Sequence, residues 1–150
     1  MIDERELTTS AVALIEGVPH LTANLANLSA LLYGALDDLN WAGFYLLEND
    51  TLVLGPFQGR PACIEIPVSR GVCGAAVRKD CAQLVPDVHA FAGHIACDSA
   101  SRSELVVPLH RNGSVVAVLD LDSPTLARFT EADRDALVNL AAAIEPLLFP

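Results

Sequence analysis

Four cysteines carry the most reactive side chains in this 150-residue chain. No two of them form a Cys-x-x-Cys pair, and the one close His–Cys couple is His94 with Cys97. Structural zinc sites usually take two ligands from one tight turn, so we expect no metal site. Thiol redox chemistry and burial as small apolar residues then stand as the two interpretations. The four thiols belong to Cys63, Cys73, Cys81 and Cys97.

The surrounding sequence separates Cys81 from the other three thiols. Cys81 opens an apolar CAQLV stretch, which predicts a buried packing residue. Cys63 lies in a loop rich in proline and glycine, and Cys97 lies in a polar loop before Asp98, where reactive groups are commonly displayed. Cys73 falls in the first turn of a predicted helix, where the backbone dipoles favour a thiolate. Redox catalysis by these three is therefore one hypothesis, beside simple packing.

Three carboxylates, Glu104, Asp120 and Asp122, lie in two predicted strands that are otherwise apolar. Asp120 and Asp122 are two residues apart, so they share one face of their strand. Clustered carboxylates cannot all ionise at low cost, and at least one is expected to have a raised pKa and hold a proton near neutrality. Such a group can act as a general acid while its ionised neighbours bind a cation such as an ammonium. The alternative is that these three acids are simply solvated residues at the ends of their strands.

Whether Glu104 shares that face depends on the turn that joins the two strands. A two-residue type I′ turn at positions 112–113 places Glu104 opposite Leu121, on the wrong face. A three-residue loop with Gly113 in the left-handed conformation places Glu104 opposite Asp120 instead. Both turns are compatible with the sequence, and a shared acidic site requires the three-residue loop.

The spacing of apolar residues predicts the helices and strands that must position these groups. Leucines three or four residues apart predict an amphipathic helix from Leu21 to Leu39, after a shorter helix that ends at Gly17–Pro19. The order of elements predicts one α+β domain over residues 1–150, an antiparallel sheet with flanking helices. The remaining predicted elements are strands Trp41–Glu48, Thr51–Phe57, Gln83–Pro86, Glu104–His110 and Ser114–Asp122, a short helix Gly71–Lys79, and a closing helix capped by Thr130 that ends near Pro146.

The charge balance excludes two classes of partner. Nine basic residues stand against 19 acidic ones, a formal net charge of −10, and Lys79 is the only lysine. Nucleic acids and anionic membranes need clustered cations, so neither is expected as a partner. The acidic start of the chain is unlike a signal peptide and the apolar runs are short, which predicts a cytoplasmic protein with reduced thiols.

Five segments together resemble the free methionine-(R)-sulfoxide reductase family, from about residue 5 to the end of the chain. Members of that family are small GAF-domain enzymes, so the resemblance implies a single GAF domain over residues 1–150 and thiol-dependent reduction of the free amino acid. The segments are NWAGFYLL (40–47), LVLGPFQGRPAC (52–63), RGVCG (70–74), DVHAFAGHIACDSASRSE (87–104) and LDLDSP (119–124).

The resemblance also implies a role for each candidate residue. Cys97 matches the nucleophile, Cys63 the favoured resolving thiol and Cys73 a second or backup thiol, while Cys81 lies outside the family's cysteine pattern. The proton donor is expected to be Asp122 or Glu104. The residues expected around the substrate are Trp41, Tyr45, Glu104, Asp120 and Asp122.

The resemblance implies free methionine sulfoxide as the substrate and thioredoxin as the external reductant, with no bound cofactor. It further implies a homodimer. Two other functions stay open on the sequence: a GAF module that binds a small molecule without catalysis, and a thiol redox sensor. A sensor would form a disulfide under peroxide but release no methionine.

Overall fold

A computed structural model describes residues 3–95, 97 and 99–150. Their strands form one six-stranded antiparallel sheet in the order β3-β2-β1-β6-β5-β4, with helices on both faces, which confirms the predicted α+β class. The elements in chain order are α1 (Glu4–Ile15), α2 (Leu21–Ala35), β1 (Trp41–Glu48), β2 (Thr51–Gly59), β3 (Glu65–Pro67), α3 (Gly71–Lys79), β4 (Gln83–Val85), a 3₁₀ turn (Val88–Ala90), β5 (Ser103–Arg111), β6 (Ser114–Ser123) and α4 (Glu131–Leu148).

The two faces of the sheet carry different apolar clusters, because successive side chains of a strand point to opposite sides. One face packs against α1, α2 and α4 through residues such as Phe44, Leu105 and Leu119. The other face, which includes Trp41 and Val106, packs against the short helix α3 and the loops beside it. The larger cluster stabilises the domain, and the smaller one surrounds the polar groups considered below.

The turn between β5 and β6 differs from the one that a shared acidic site was expected to require. Arg111 pairs with Ser114 across a two-residue turn, and both Asn112 and Gly113 have positive φ, 52° and 81°. This is the dihedral pattern of a type I′ hairpin, for which Asn-Gly is the favoured sequence. The prediction that a common acidic face needs a three-residue loop is therefore wrong.

A β-bulge inside β6 supplies the change of register instead. His110 lies opposite Val115, whereas Leu109 lies opposite Ala117, so Val116 is one extra residue in its strand. Because the side-chain period of a strand is two, one extra residue moves every later side chain to the other face relative to the partner strand. Glu104 consequently lies opposite Asp122 rather than a leucine.

The end of one helix also differs from its predicted position. Helix α2 ends at Ala35 rather than Leu39, because Leu36 is extended and Asp38 adopts a positive φ of 60°. Helix α4 begins as predicted after Thr130, which forms a reciprocal capping box with Asp133. It continues to Leu148 with Pro146 in its last turn.

His110 joins the ends of three elements through its two ring nitrogens. Nδ1 lies 2.7 Å from Oε1 of Glu145 on α4, and Nε2 lies 2.6 Å from Oδ1 of Asp80, the residue that caps α3. Partial burial lowers the pKa of His110, but the hydrogen bonds to Asp80 and Glu145 outweigh this effect and the net shift is upward. The protonated ring is therefore the form that the folded protein favours.

A raised pKa in the folded state gives stability that is complete below the unfolded pKa, about 6.5, and is lost as pH rises through the folded value. We expect His110→Gln to lose stability relative to the parent mainly on the acid side, with the difference shrinking toward alkaline pH. Urea unfolding from about pH 5.5 to pH 8.5 measures this difference. An equal loss at every pH would show that the ring contributes packing and not charge.

Candidate active site

A cavity of about 50 Å³ opens on the α3 face of the sheet, beside the smaller apolar cluster. Seven of the eight residues predicted for the site line it, and the eighth, Cys63, is covalently joined to one of them. The structure therefore brings the whole predicted set together from four elements and two loops. The seven are Trp41, Tyr45, Cys73, Cys97, Glu104, Asp120 and Asp122.

Cys63 and Cys97 form a disulfide, with their Cα atoms 5.3 Å apart. Cys63 precedes β3, and Cys97 lies in the loop between the 3₁₀ turn and β5. The Tyr45 hydroxyl donates a hydrogen bond of 3.0 Å to the Cys63 carbonyl, and the Cys97 amide donates one of 3.0 Å to the Ile95 carbonyl. These contacts place a redox-capable thiol pair at the cavity wall.

The three carboxylates share the cavity face of β5 and β6. Glu104 pairs directly with Asp122, and Asp120 lies two residues before Asp122 on the same side. Glu104 and Asp120 are 8% and 6% exposed. The Asp120 Oδ1 atom is buried and makes no hydrogen bond with any residue that the structure describes. A buried acceptor left in this state favours a ligand that brings a donor.

Burial gives the acids different proton affinities. It raises the pKa of Asp120 to about 6, although hydrogen bonds from Glu104 and Cys73 to its carboxylate oppose this shift. Burial also raises the pKa of Glu104 well above its usual value, and the negative charges of Asp120 and Asp122 add to the effect. Of the two, Glu104 therefore holds its proton more firmly and Asp120 ionises more readily.

Cys73 lies among these acids. Its Sγ atom is 3.6 Å from Oδ2 of Asp120 and 3.9 Å from Oε2 of Glu104. Burial raises the pKa of the Cys73 thiol well above its usual value, and the nearby carboxylates raise it further. The expectation that its position in the first turn of α3 favours a thiolate is wrong, because these effects outweigh the helix dipole.

The rings of Trp41 and Tyr45 line the cavity on the same side of the sheet as the acids, since Trp41 pairs with Asp122 across β1 and β6. The ring centroid of Trp41 lies 5.8 Å from that of Tyr45 and 5.1 Å from that of Phe57, and both pairs of rings are stacked. A Cβ atom on Gly43, which lies between them, would approach Cβ of Phe57 to 2.3 Å. Phe57 was not among the predicted site residues, and the glycine inside β1 was the signal for so close an approach.

Cys81 and the histidines lie apart from this arrangement. Cys81 is exposed, so the prediction of a buried packing residue is wrong. It lines a separate surface cavity with His110, on the side of the sheet where α4 packs. His94 lies at the first cavity, and its ring centroid is 5.9 Å from that of His89.

In the described part of the chain, no helix is long and apolar enough to cross a membrane.

Fold and cavity together define the class of protein: a GAF domain with a pair of redox-capable thiols at its ligand site. The profile of the GAF domain family matches residues 22–148. A free methionine-R-sulfoxide reductase of Escherichia coli K12 is 57% identical to this chain over 136 residues, which is 91% of the chain and 82% of the relative. A free methionine-R-sulfoxide reductase of Saccharomyces cerevisiae is 42% identical over 147 residues, covering 93% and 82%.

The solved structures agree with these relatives. The structure of fRMsr of Staphylococcus aureus in complex with substrate superposes with a TM-score of 0.93 at 47% identity, and covers 99% of this chain and 97% of that one. The chain belongs to the free methionine-R-sulfoxide reductase family, which places it among the oxidoreductases and confirms the resemblance seen in its sequence.

Proposed function

We propose that this protein reduces free methionine-(R)-sulfoxide to methionine, with Cys97 as the nucleophile. The observation that carries the proposal is the Cys63–Cys97 disulfide at a cavity that Glu104, Asp120 and Asp122 also line. A thiol pair able to form a disulfide supplies two electrons, and a protonated carboxyl supplies the proton that the sulfoxide oxygen needs. Sequence identity to reductases named for this substrate supports the same reaction.

The reaction begins when the Cys97 thiolate attacks the sulfoxide sulfur. Glu104 donates its proton to the sulfoxide oxygen. The resulting hydroxyl group then moves from the substrate sulfur to the Cys97 sulfur as the bond between the two sulfurs breaks, so that methionine leaves and Cys97 becomes a sulfenic acid. The Cys63 thiol then attacks the sulfenic sulfur, water leaves, and the Cys63–Cys97 disulfide forms. Burial of Glu104 supports its choice as donor; Asp122, which lies opposite it, is the alternative.

Recognition of the free amino acid is assigned to Asp120. Its unpartnered, buried Oδ1 atom is an acceptor for the substrate ammonium, which would neutralise the ionised carboxylate. The Trp41 and Tyr45 rings are proposed to contact the methyl and sulfinyl end. A methionine sulfoxide within a peptide lacks the ammonium group, so it would leave Asp120 buried and unpaired.

The enzyme is recycled by a protein dithiol, for which thioredoxin is the proposed reductant. One thiol of the reductant attacks the Cys63–Cys97 disulfide and forms a mixed disulfide. The second thiol then displaces the protein cysteine, so the reductant ends as a disulfide and two electrons return to the cysteine pair. The chemistry needs no bound cofactor. It suits the cytoplasm, where thiols are kept reduced. A homodimer is proposed from the family alone.

Turnover of three matched substrates tests the function. In a thioredoxin-coupled assay we expect methionine release from free R-sulfoxide and at least about a hundredfold less from free S-sulfoxide or from N-acetylated R-sulfoxide, which lacks the ammonium charge. Peroxide in place of substrate is the control for a redox sensor. A chain that forms its disulfide under peroxide but releases no methionine from any of the three would not be a reductase.

A further inference from the structure

The third thiol of the cavity, Cys73, has surroundings that differ from those of the disulfide pair. It is 4% exposed on the first turn of α3, and its nearest polar neighbours are the Asp120 and Glu104 carboxyl groups, 3.6 and 3.9 Å from its sulfur. A thiol enclosed by acids stays protonated, and a protonated thiol is a poor nucleophile. It can donate one hydrogen bond, and the shorter of the two contacts leads to Asp120.

Resting on the function proposed above, we infer that Cys73 is a positioning residue and not a redox thiol. Its S–H group donates to Oδ2 of Asp120, holds that carboxylate in the ionised form, and leaves Oδ1 as the acceptor for the substrate ammonium. The inference rests on the different surroundings of the two Asp120 carboxylate oxygens. Oδ2 lies 3.6 Å from the Cys73 sulfur, and Oδ1 has no hydrogen-bond partner among the described residues.

The charge around Asp120 explains why one donor matters. Glu104 faces it from β5, Asp122 from its own strand, Tyr45 from β1 and Cys73 from α3, with His94 at the same cavity. Burial favours protonation of Asp120, whereas hydrogen bonds from Glu104 and Cys73 favour its anion, so the anion depends on the donors around it. Removing the thiol donor should therefore move the ionisation of Asp120 to higher pH.

Two variants of Cys73 distinguish the effect of losing the hydrogen-bond donor from the effect of losing the sulfur atom. Cys73→Ala removes both, whereas Cys73→Ser removes the sulfur and keeps an O–H donor. We expect Cys73→Ala to raise KM for free methionine-(R)-sulfoxide about threefold to tenfold, the range of one ordinary hydrogen bond, and to shift the acid limb of kcat/KM to higher pH. Cys73→Ser should restore KM and the acid limb most of the way and still support repeated thioredoxin-dependent turnover. Cys81→Ala, at the exposed thiol outside the cavity, is the control.

Two further measurements keep the inference separate from the proposed function. Calorimetric binding of methionine to the disulfide form, followed over pH, reports on Asp120 without any turnover. Alkylation and mass spectrometry after one round of substrate should find Cys73 as a free thiol in the parent. The inference is overturned if Cys73→Ala shows the parental pH profile and affinity, or if Cys73 appears in the substrate-induced disulfide. Absence of methionine release by the parent would instead overturn the proposed function, and the binding profile would still judge Cys73.

Discussion

Replacing Cys97 by serine is expected to abolish turnover, with a loss of at least about a thousandfold in kcat/KM. A serine hydroxyl is almost wholly protonated at neutral pH and lacks the nucleophilicity of a thiolate, and it cannot form the disulfide with Cys63. The thioredoxin-coupled assay measures the loss. Circular dichroism and thermal unfolding establish that the variant is folded.

Cys63→Ser is the matched variant for that experiment, because it removes the other half of the same disulfide. It should retain the first chemical step and release about one methionine per active site, then stop with a sulfenic acid on Cys97 that a diketone probe can trap. Activity of Cys97→Ser near the parental rate would contradict its role as nucleophile. Sustained cycling by Cys63→Ser would contradict its role as resolving thiol.

Glu104→Gln is expected to lower kcat about a hundredfold to ten-thousandfold while KM changes little. Glutamine has the size of the protonated acid and keeps a donor toward Asp120, but it has no proton to transfer to the sulfoxide oxygen. Burial raises the pKa of Glu104 well above its usual value, so we expect the parent to lose activity as pH rises through that raised pKa. Steady-state kinetics over pH separate the two parameters.

Asp120→Asn should give the opposite pattern, because it removes the proposed ammonium partner and not the proton donor. KM is expected to rise about tenfold to a hundredfold, the range of a charged hydrogen bond, with a smaller effect on kcat. Asp122→Asn examines the alternative donor opposite Glu104. Loss of kcat in Asp122→Asn together with near-parental kcat in Glu104→Gln would assign the proton to Asp122.

Much of the fold follows from short-range patterns in the sequence. Strand β1 has the predicted bounds, Trp41–Glu48, and β5 and β6 are joined by a turn at Asn112 and Gly113, one of the two turns that the sequence allowed. Helix α3 has the predicted bounds, Gly71–Lys79. The end of α2 was less predictable, because its leucine spacing continues past Ala35 while the backbone turns at Asp38. Apolar spacing reports which face is buried, not where the backbone leaves the helix.

The assembly of the site depends on distances that the sequence does not contain. Cys73 has the helix position that favours a thiolate, but the acids that oppose it come from β5 and β6, about 30 to 50 residues further along the chain. Phe57 stacks on Trp41, which lines the cavity, and its pairing with Gly43 across β1 and β2 brings the two rings together. Family resemblance named most of the site residues, and their proton affinities required the three-dimensional arrangement.

The bulge at Val116 allows the three carboxylates to share one side of the sheet although the turn between β5 and β6 has only two residues. With the same two-residue turn and no bulge, Glu104 would lie opposite Leu121, and its carboxylate would be on the other side of the sheet from those of Asp120 and Asp122. A hairpin that gained a third turn residue and lost Val116 would present the same acids to the cavity from a chain of the same length. Turn and strand can therefore exchange the extra residue in related proteins without any change in the chemistry they support.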